Sequence, residues 1–140
     1  MPSLITPAIQ AAIGREGERR TVAIERGAIV RFTEAIADPN PAYPDVAPPT
    51  FLRSVGLAIP TLPGQDEVPR VLDGGSEWTY GPPVRPGDAV TYVSALESAT
   101  EREGRMGAML ILTYATVYTN QRGEQVATQR NTVIRMGAQA

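Results

Sequence analysis

The nine residues Met109–Val117 read MLILTYATV, and they are apolar on both alternating faces of an extended chain. A short apolar run of this kind, rich in β-branched and aromatic residues, is typical of a buried strand. The run lies within a longer β-rich stretch, Met106–Asn120, and three other stretches share its content of Val, Thr, Tyr and Ile. These are Val71–Tyr80, Asp88–Ser98 and Gln125–Arg135. The sequence therefore predicts a central strand covered on both sides, with three other strands nearby.

Short segments of turn residues separate these four stretches. Gly81–Gly87 is rich in proline, and Glu101–Gly104 and Asn120–Gly123 each end in glycine. Connections this short join antiparallel neighbours, because a parallel crossover needs a dozen or more residues. We therefore expect a continuous antiparallel sheet.

Two features of the first β stretch predict its surroundings. The pair Gly74-Gly75 indicates a β-bulge or the close approach of a helix to the sheet, rather than contact with a ligand. Trp78 and Tyr80 share one face of the strand with Ser76, and we expect both aromatic rings to pack in the core or in a dimer interface.

The N-terminal half predicts one strand and two helices. Arg19–Ile24 alternates as a strand does, and Glu25–Ala37 changes to helical spacing with one apolar side. This helix must end by Asp38, because Pro39 disfavours a helical backbone at the residue before it. Thr50–Ile59 is apolar nearly all round, which is typical of a buried helix.

Helices followed by a run of antiparallel strands make an α+β order. We expect one domain over residues 1–140, in which a long antiparallel β-sheet wraps round a central buried helix. One or two further helical turns are expected within Pro2–Glu18. The edge strand of such a sheet needs a cover, and pairing with an identical or related chain is a common one. A dimer is therefore expected.

Composition excludes several classes of chemistry. The chain has 140 residues, a net charge of −2, no Cys and no His, and all 13 basic residues are Arg. Disulfides, thiolate nucleophiles, imidazole bases and lysine Schiff bases are therefore excluded, and no metal site is expected. The mild acidity argues against nucleic acid and anionic lipid as partners. Met1–Gln10 lacks the basic start and apolar core of a signal peptide, so a cytoplasmic location is expected.

Four segments in register resemble the MaoC-like dehydratase and hydratase proteins, in particular their N-terminal FAS1-like dehydratase type. The segments read ADPNPAY, then APPTFL, then VLDGGSEWTY with PVRPGD after it, and finally YTNQRGEQVA. They occupy Ala37–Tyr43, Ala47–Leu52, Val71–Asp88 and Tyr118–Ala127. The resemblance covers roughly residues 15–136 and implies a hot dog fold, usually paired so that two sheets join edge to edge.

The resemblance also implies a reaction and a substrate. Members hydrate trans-enoyl thioesters or dehydrate (3R)-hydroxyacyl thioesters on CoA or acyl carrier protein, and no cofactor is implied. Catalysis in the family rests on an Asp-x-Asn-Pro-x-His motif. This chain keeps Asp38, Asn40 and Pro41, but Tyr43 stands in the place of the His, and a phenol is a poor base near neutral pH. In two-part members, the half without the His shapes the acyl pocket.

The segment Asp38–Tyr43 permits two interpretations. In the first, it is only a turn that ends a helix, with Asp38 and Asn40 bonded to nearby backbone. In the second, Asn40 and Tyr43 line the substrate, and Asp38 and Tyr43 are the weaker candidates for a catalytic role.

The start of the buried helix supplies two further candidates. In the family this helix start faces the thioester, and free N–H groups there can polarise a carbonyl. Pro48 and Pro49 have no N–H to donate. Thr50 and Phe51 are therefore the predicted substrate-binding residues at this position. Only Pro44-Asp45-Val46 separates the turn from the segment that opens the helix, which implies a pocket that is shorter, more open or completed by a partner.

Three functions follow from these residues. The first is a non-catalytic, acyl-pocket-shaping subunit that pairs with a catalytic MaoC-like chain. The second is a self-sufficient homodimer, a hydratase or acyl-CoA thioesterase, that uses carboxylates such as Asp38 or Asp45. The third is a non-enzymatic module that binds acyl thioesters.

Overall fold

The computed structural model describes residues 3–138, so the ends of the predicted domain and the first residue of Pro2–Glu18 lie outside it. Five strands and three α-helices form within this range, with a 3₁₀ turn at Gln65–Glu67. The helices are α1 Pro7–Ala12, α2 Arg26–Ala35 and α3 Phe51–Val55; the strands are β1 Arg20–Ala23, β2 Arg70–Tyr80, β3 Ala89–Gly104, β4 Gly107–Thr119 and β5 Gln125–Met136. No helix of residues 3–138 has the length and apolar character needed to cross a membrane.

The strands form one antiparallel sheet in the order β1-β3-β4-β5-β2. Strands β3, β4 and β5 are joined in succession by hairpins. Strand β2 precedes them in the chain and pairs with β5. This register places Val93 opposite Val117 and Trp78 opposite Gln129. The α+β class and the antiparallel sheet are therefore confirmed, and β1 and β2 are the two edge strands.

The core lies on one face of the sheet. Alternate residues of β4, from Leu110 to Tyr118, are buried on this face. Helices α2 and α3 pack around Tyr118, and α1 packs with the segment 62–68 around Leu112. The intervening side chains of β4, such as Ile111 and Val117, are only partly buried. The prediction of a central strand covered on both sides is wrong, because the helices pack on a single face.

The buried helix is shorter than the predicted Thr50–Ile59. It ends at Val55 because Gly56 has φ 119°, a conformation that residues with a side chain rarely adopt. The Tyr118 hydroxyl donates to the Gly56 carbonyl at 3.2 Å and fixes this end of the helix to the sheet. A mainly apolar segment can pack against the core in either conformation, so the pattern alone did not distinguish five helical residues from ten.

A predicted turn and a predicted β-bulge have different outcomes. Glu101–Gly104 is strand rather than turn, because β3 continues to Gly104 and the chain reverses at residues 105–106. The predicted bulge at Gly74-Gly75 is confirmed by a shift of the β2–β5 register between Asp73 and Ser76. A Cβ at Gly74 would lie 2.8 Å from the Thr132 methyl carbon, so glycine allows β5 to approach here.

A buried carboxylate secures the turn that enters β3. Asp88 is 5% exposed, and it accepts hydrogen bonds from the Arg85 N–H and the Gln121 side-chain amide, each at 2.9 Å. Burial alone would raise the pKa of Asp88, but these hydrogen bonds and the charges of Arg122 and Arg85 outweigh it, so the pKa is lowered. Its stabilising contribution is therefore complete above the unfolded value of about 3.9 and is lost as the pH falls through the lower folded value.

We expect Asp88→Asn to lower the free energy of unfolding near neutral pH by about 1–2 kcal/mol, because one acceptor in the turn becomes a donor. The difference from the natural chain should be smaller at about pH 3 than near neutral pH, because the stabilisation is lost as the pH falls from the unfolded value of about 3.9 toward the lower folded value. Urea unfolding at the two pH values measures both effects. Asp66→Asn, at an exposed position, is the control. A difference that stays constant between the two pH values would contradict the assignment.

Candidate functional site

An open cleft of about 510 Å³ lies between α2, α3 and β2. We call it the outer cleft. Its lining combines aromatic and aliphatic side chains with hydroxyls and one guanidinium: Phe32, Ile36, Thr50, Arg53, Ser54, Ser76, Trp78 and Tyr80. Helix α3 supplies the polar side of the cleft and β2 supplies the aromatic side. The cleft is suited to an apolar chain with a polar end.

A smaller pocket of about 170 Å³ adjoins the outer cleft at the bulge of β2. We call it the bulge pocket. Its lining residues are Arg53, Leu57, Val71, Leu72, Asp73, Ser76, Gln129, Asn131 and Val133. Arg53 and Ser76 line both spaces, so the two are adjacent and share these side chains as walls.

A row of aromatic rings crosses the sheet beneath the outer cleft. Trp78 stacks on Tyr80 with ring centres 5.8 Å apart, and it lies 5.5 Å from Tyr118, which lies 5.7 Å from Tyr92. Burial raises the pKa of Tyr80 and, more strongly, of Tyr118. Both phenols therefore stay protonated near neutral pH. Tyr80 lines the outer cleft, and Tyr118 is fully buried behind Trp78.

Thr50 and Phe51, the residues predicted at the helix start, lie on different sides of α3. Thr50 lines the outer cleft. Phe51 is 5% exposed, packs edge-on against Phe32, and faces a separate cleft of about 410 Å³ between β1, α2 and α3. The Phe51 N–H already donates to the Pro48 carbonyl at 2.9 Å, so it is not free for a ligand. Of the two, Thr50 is the residue that adjoins the outer cleft.

The segment Asp38–Tyr43 forms a succession of side-chain-capped turns. The Asp38 carboxylate accepts from the Asn40 N–H at 3.0 Å, and the Asn40 side-chain oxygen accepts from the Ala42 N–H at 3.0 Å. Asn40 is exposed and Tyr43 is partly buried. Neither they nor Asp38 line the outer cleft or the bulge pocket. The geometry is that of the helix-ending turn, and the predicted substrate-lining and catalytic roles of these residues stay predictions.

The two spaces hold few groups that can transfer a proton. The outer cleft has one guanidinium and one phenol but no carboxylate. The bulge pocket has one carboxylate, that of Asp73, which is exposed and accepts from the Gly75 N–H at 2.8 Å. Within residues 3–138, no three His, Cys, Asp or Glu side chains are grouped to hold a metal ion. The walls supplied by this chain can bind and orient a ligand, but the outer cleft offers no carboxylate or imidazole base.

Sequence reasoning missed several polar residues of these spaces, among them Arg53, Ser76, Gln129 and Asn131. Arg53 was read only as the small polar side of a buried helix, and Ser76 only as a companion of the aromatic residues. Gln129 carried a usable signal, because it falls on the same strand face as Ala127 and Val133, both buried or partly buried. A polar side chain on a core face indicates a hydrogen-bonded network or a binding site.

Comparisons with known proteins agree with this architecture. The FAS1-like dehydratase domain region matches residues 11–129. A UPF0336 protein of Streptomyces avermitilis is 33% identical over 98 residues, or 58% of this chain and 65% of that relative. The chain therefore spans less than two thirds of the length of that relative.

Two solved structures establish the fold. One is the ChsH1–ChsH2 complex from Mycobacterium tuberculosis, with 21% identity, a TM-score of 0.75, and coverage of 92% of this chain and 92% of that chain. The other is the MaoC-like dehydratase from Rhodospirillum rubrum, with 21% identity, a TM-score of 0.69, and coverage of 91% and 94%. Both likenesses confirm the predicted hot dog fold.

The family match covers most of the chain, and the sheet, buried helix and turn segments lie in the order that the resemblance predicted. The chain therefore belongs to the FAS1-like dehydratase domain family, and its structural neighbours include a MaoC-like dehydratase.

Proposed function

We propose that this chain is the non-catalytic subunit of an (R)-specific enoyl-thioester hydratase or 3-hydroxyacyl-thioester dehydratase. In this role it shapes the acyl pocket, and a MaoC-like hot dog partner supplies the catalytic base. Hydration of an enoyl thioester adds the hydroxyl of water to C3 and a proton to C2, so the reaction needs a group that takes a proton from water. The proposed substrate is an acyl thioester of CoA or acyl carrier protein, with no further cofactor.

The observation that carries the proposal is the composition of the outer cleft. Its lining has the size and apolar walls that an acyl chain requires, and Thr50, Arg53 and Ser54 give it a polar rim. It has no carboxylate or imidazole, and the chain as a whole has no His. The Asp38 carboxylate is bonded within its own turn. A cleft built to hold the substrate but lacking the base is what a pocket-shaping subunit requires.

The edge strand β2 supports the existence of a partner. Val71 and Leu72 are 51% and 50% exposed, and Tyr80 is 42% exposed. Apolar side chains on an open strand edge favour pairing with another strand. The ChsH1–ChsH2 structure, which this chain resembles in fold, is a complex of ChsH1 with ChsH2. Pairing through β2 would place the partner beside the outer cleft, which Ser76, Trp78 and Tyr80 of the same strand line.

Reconstitution tests the proposal. We expect the purified chain alone to hydrate crotonyl-CoA, a short enoyl thioester, at the background rate. Addition of a catalytic MaoC-like chain captured from the native cell should raise the rate by at least about 10²-fold, the contribution of a positioned acid–base pair. Loss of the enoyl-thioester absorbance measures both rates.

Two results would contradict this assignment. Rapid hydration by the chain alone, abolished in Asp38→Asn or Asp45→Asn, would establish the self-sufficient homodimer instead. Thermal stabilisation of the chain by the thioester, with no turnover in any assembly from the native cell, would establish the non-enzymatic binding module.

A further inference from the structure

We propose that the bulge pocket binds a neutral hydrogen-bonding group, a hydroxyl or an amide, carried on the acyl chain of the ligand at a distance from the thioester. This inference rests on the proposed function and adds a substrate class to it: functionalised acyl thioesters rather than plain hydrocarbon ones. The residues that would read the group are Gln129 and Asn131.

The first observation is a pair of buried acceptors without partners. Gln129 is 1% exposed and lines the bulge pocket, yet its Oε1 atom has no hydrogen-bond partner among the described residues. The Oδ1 atom of Asn131, two residues along the same face of β5, is also buried and has no partner there. Buried polar atoms are nearly always hydrogen-bonded in native proteins, so two neighbouring exceptions in one pocket require an explanation.

The second observation is that another pair of buried polar side chains on the same sheet face is hydrogen-bonded. Thr116 is opposite Gln129 in the register of β4 and β5, and its hydroxyl is bonded at 2.7 Å to the hydroxyl of Ser94, with both residues fully buried. This polar pair, which faces only protein, is therefore satisfied. The two partnerless amide oxygens belong to side chains that line the bulge pocket. A third buried atom without a partner among the described residues, Arg135 Nε, belongs to a guanidinium that donates from Nη1 to the Val68 carbonyl at 3.2 Å.

The third observation concerns the chemistry of the pocket walls. Arg53 and Asp73 contribute one positive and one negative charge, and the aliphatic lining comes from Leu57, Val71, Leu72 and Val133. The opposed charges give no net preference for an anion or a cation. Two side-chain amides beside this aliphatic lining match a neutral group that donates a hydrogen bond.

The position of the pocket ties this group to an acyl chain. Arg53 and Ser76 border both the bulge pocket and the outer cleft. A ligand whose apolar part lies along Trp78 and Tyr80 can therefore extend past Ser76 and bring a polar substituent to Gln129. The approach of a partner along β2 would close the open side of this path.

Matched thioesters test the inference. Calorimetric affinities are measured for hexanoyl-, octanoyl- and decanoyl-CoA and for their ω-hydroxy counterparts, on the chain together with its partner. We expect at least one hydroxylated thioester to bind about tenfold more tightly than its unsubstituted match, because it satisfies buried acceptors that the plain chain leaves unpaired. Gln129→Met should remove this preference and keep the affinity for the unsubstituted thioester.

The control is Thr128→Val, a substitution of similar shape on the opposite face of β5, which should keep the preference. If Gln129→Met fails to fold by circular dichroism, Asn131→Leu replaces it, with the same expected loss. Equal binding of both members of every pair would overturn the inference and leave the proposed function standing. Absence of binding by all six thioesters would overturn both.

Discussion

Leu72→Asp is expected to weaken association with the proposed partner chain by about 30- to 1,000-fold, the range that follows from losing a central interface contact. Leu72 lies on β2, an edge strand of the sheet, and half of its side chain is exposed. An aspartate there would place a carboxylate against the incoming strand, where its desolvation is not repaid by an opposite charge. The substitution should leave the fold intact, because Leu72 contributes to neither core cluster.

The matched control is Met106→Asp. Met106 is 59% exposed, but it lies in the turn between β3 and β4, away from the β2 edge. Sedimentation of the mixed subunits measures the dissociation constant of each variant. Equal dissociation constants for the two variants would show that the partner does not use β2.

Gly81→Ala is expected to lower the free energy of unfolding by about 2–3 kcal/mol, at the upper end of the cost of overpacking. Gly81 ends the β2 edge and donates its N–H to the Val126 carbonyl at 2.9 Å. A Cβ at this position would overlap the Gln125 carbonyl oxygen, which belongs to backbone and cannot rotate away. The chain must shift at the junction between β2 and β5, close to Tyr80 and the outer cleft.

Gly27→Ala provides the contrast, since Gly27 lies within α2 and a Cβ there meets only the flexible end of Arg31 at 3.4 Å. Alanine is the better helix former, so this variant should gain about 0.5–1 kcal/mol. Urea unfolding of both variants beside the natural chain measures the two effects. A Gly81→Ala variant as stable as Gly27→Ala would mean that the close approach at Gly81 is absent in solution.

Most of the sheet could be predicted because its signals are local. The alternation within Gln125–Arg135 and the turn residues of Asn120–Gly123 together place β5 to within a residue of its observed start and end. The extension of β3 through Glu101–Gly104 could not be predicted, since these charged residues pair with β4 in an exposed hairpin that a turn would have suited equally well. Local pattern predicts that a strand exists better than it predicts where the strand ends.

The site was less predictable because it depends on contacts between distant parts of the chain. Sequence reasoning placed Thr50 and Phe51 together, but the helical rotation between adjacent residues turns one toward the outer cleft and the other into the core. The Gly56 conformation that ends α3 is accompanied by a bond from Tyr118, 62 residues away in sequence. Gln129 and Asn131 likewise meet the bulge pocket beside the register shift of β2 between Asp73 and Ser76, which joins distant parts of the chain.

The strand order has a consequence for the abundance of this protein in a cell. β2 precedes β3 in the chain but docks on β5, the last strand, so its edge is completed only after the whole sheet has been synthesised. Molecules synthesised in excess of the proposed partner would leave the β2 edge unpaired. They would be lost to self-aggregation or proteolysis. The abundance of one subunit is thereby coupled to that of the other, which favours their synthesis in equal amounts.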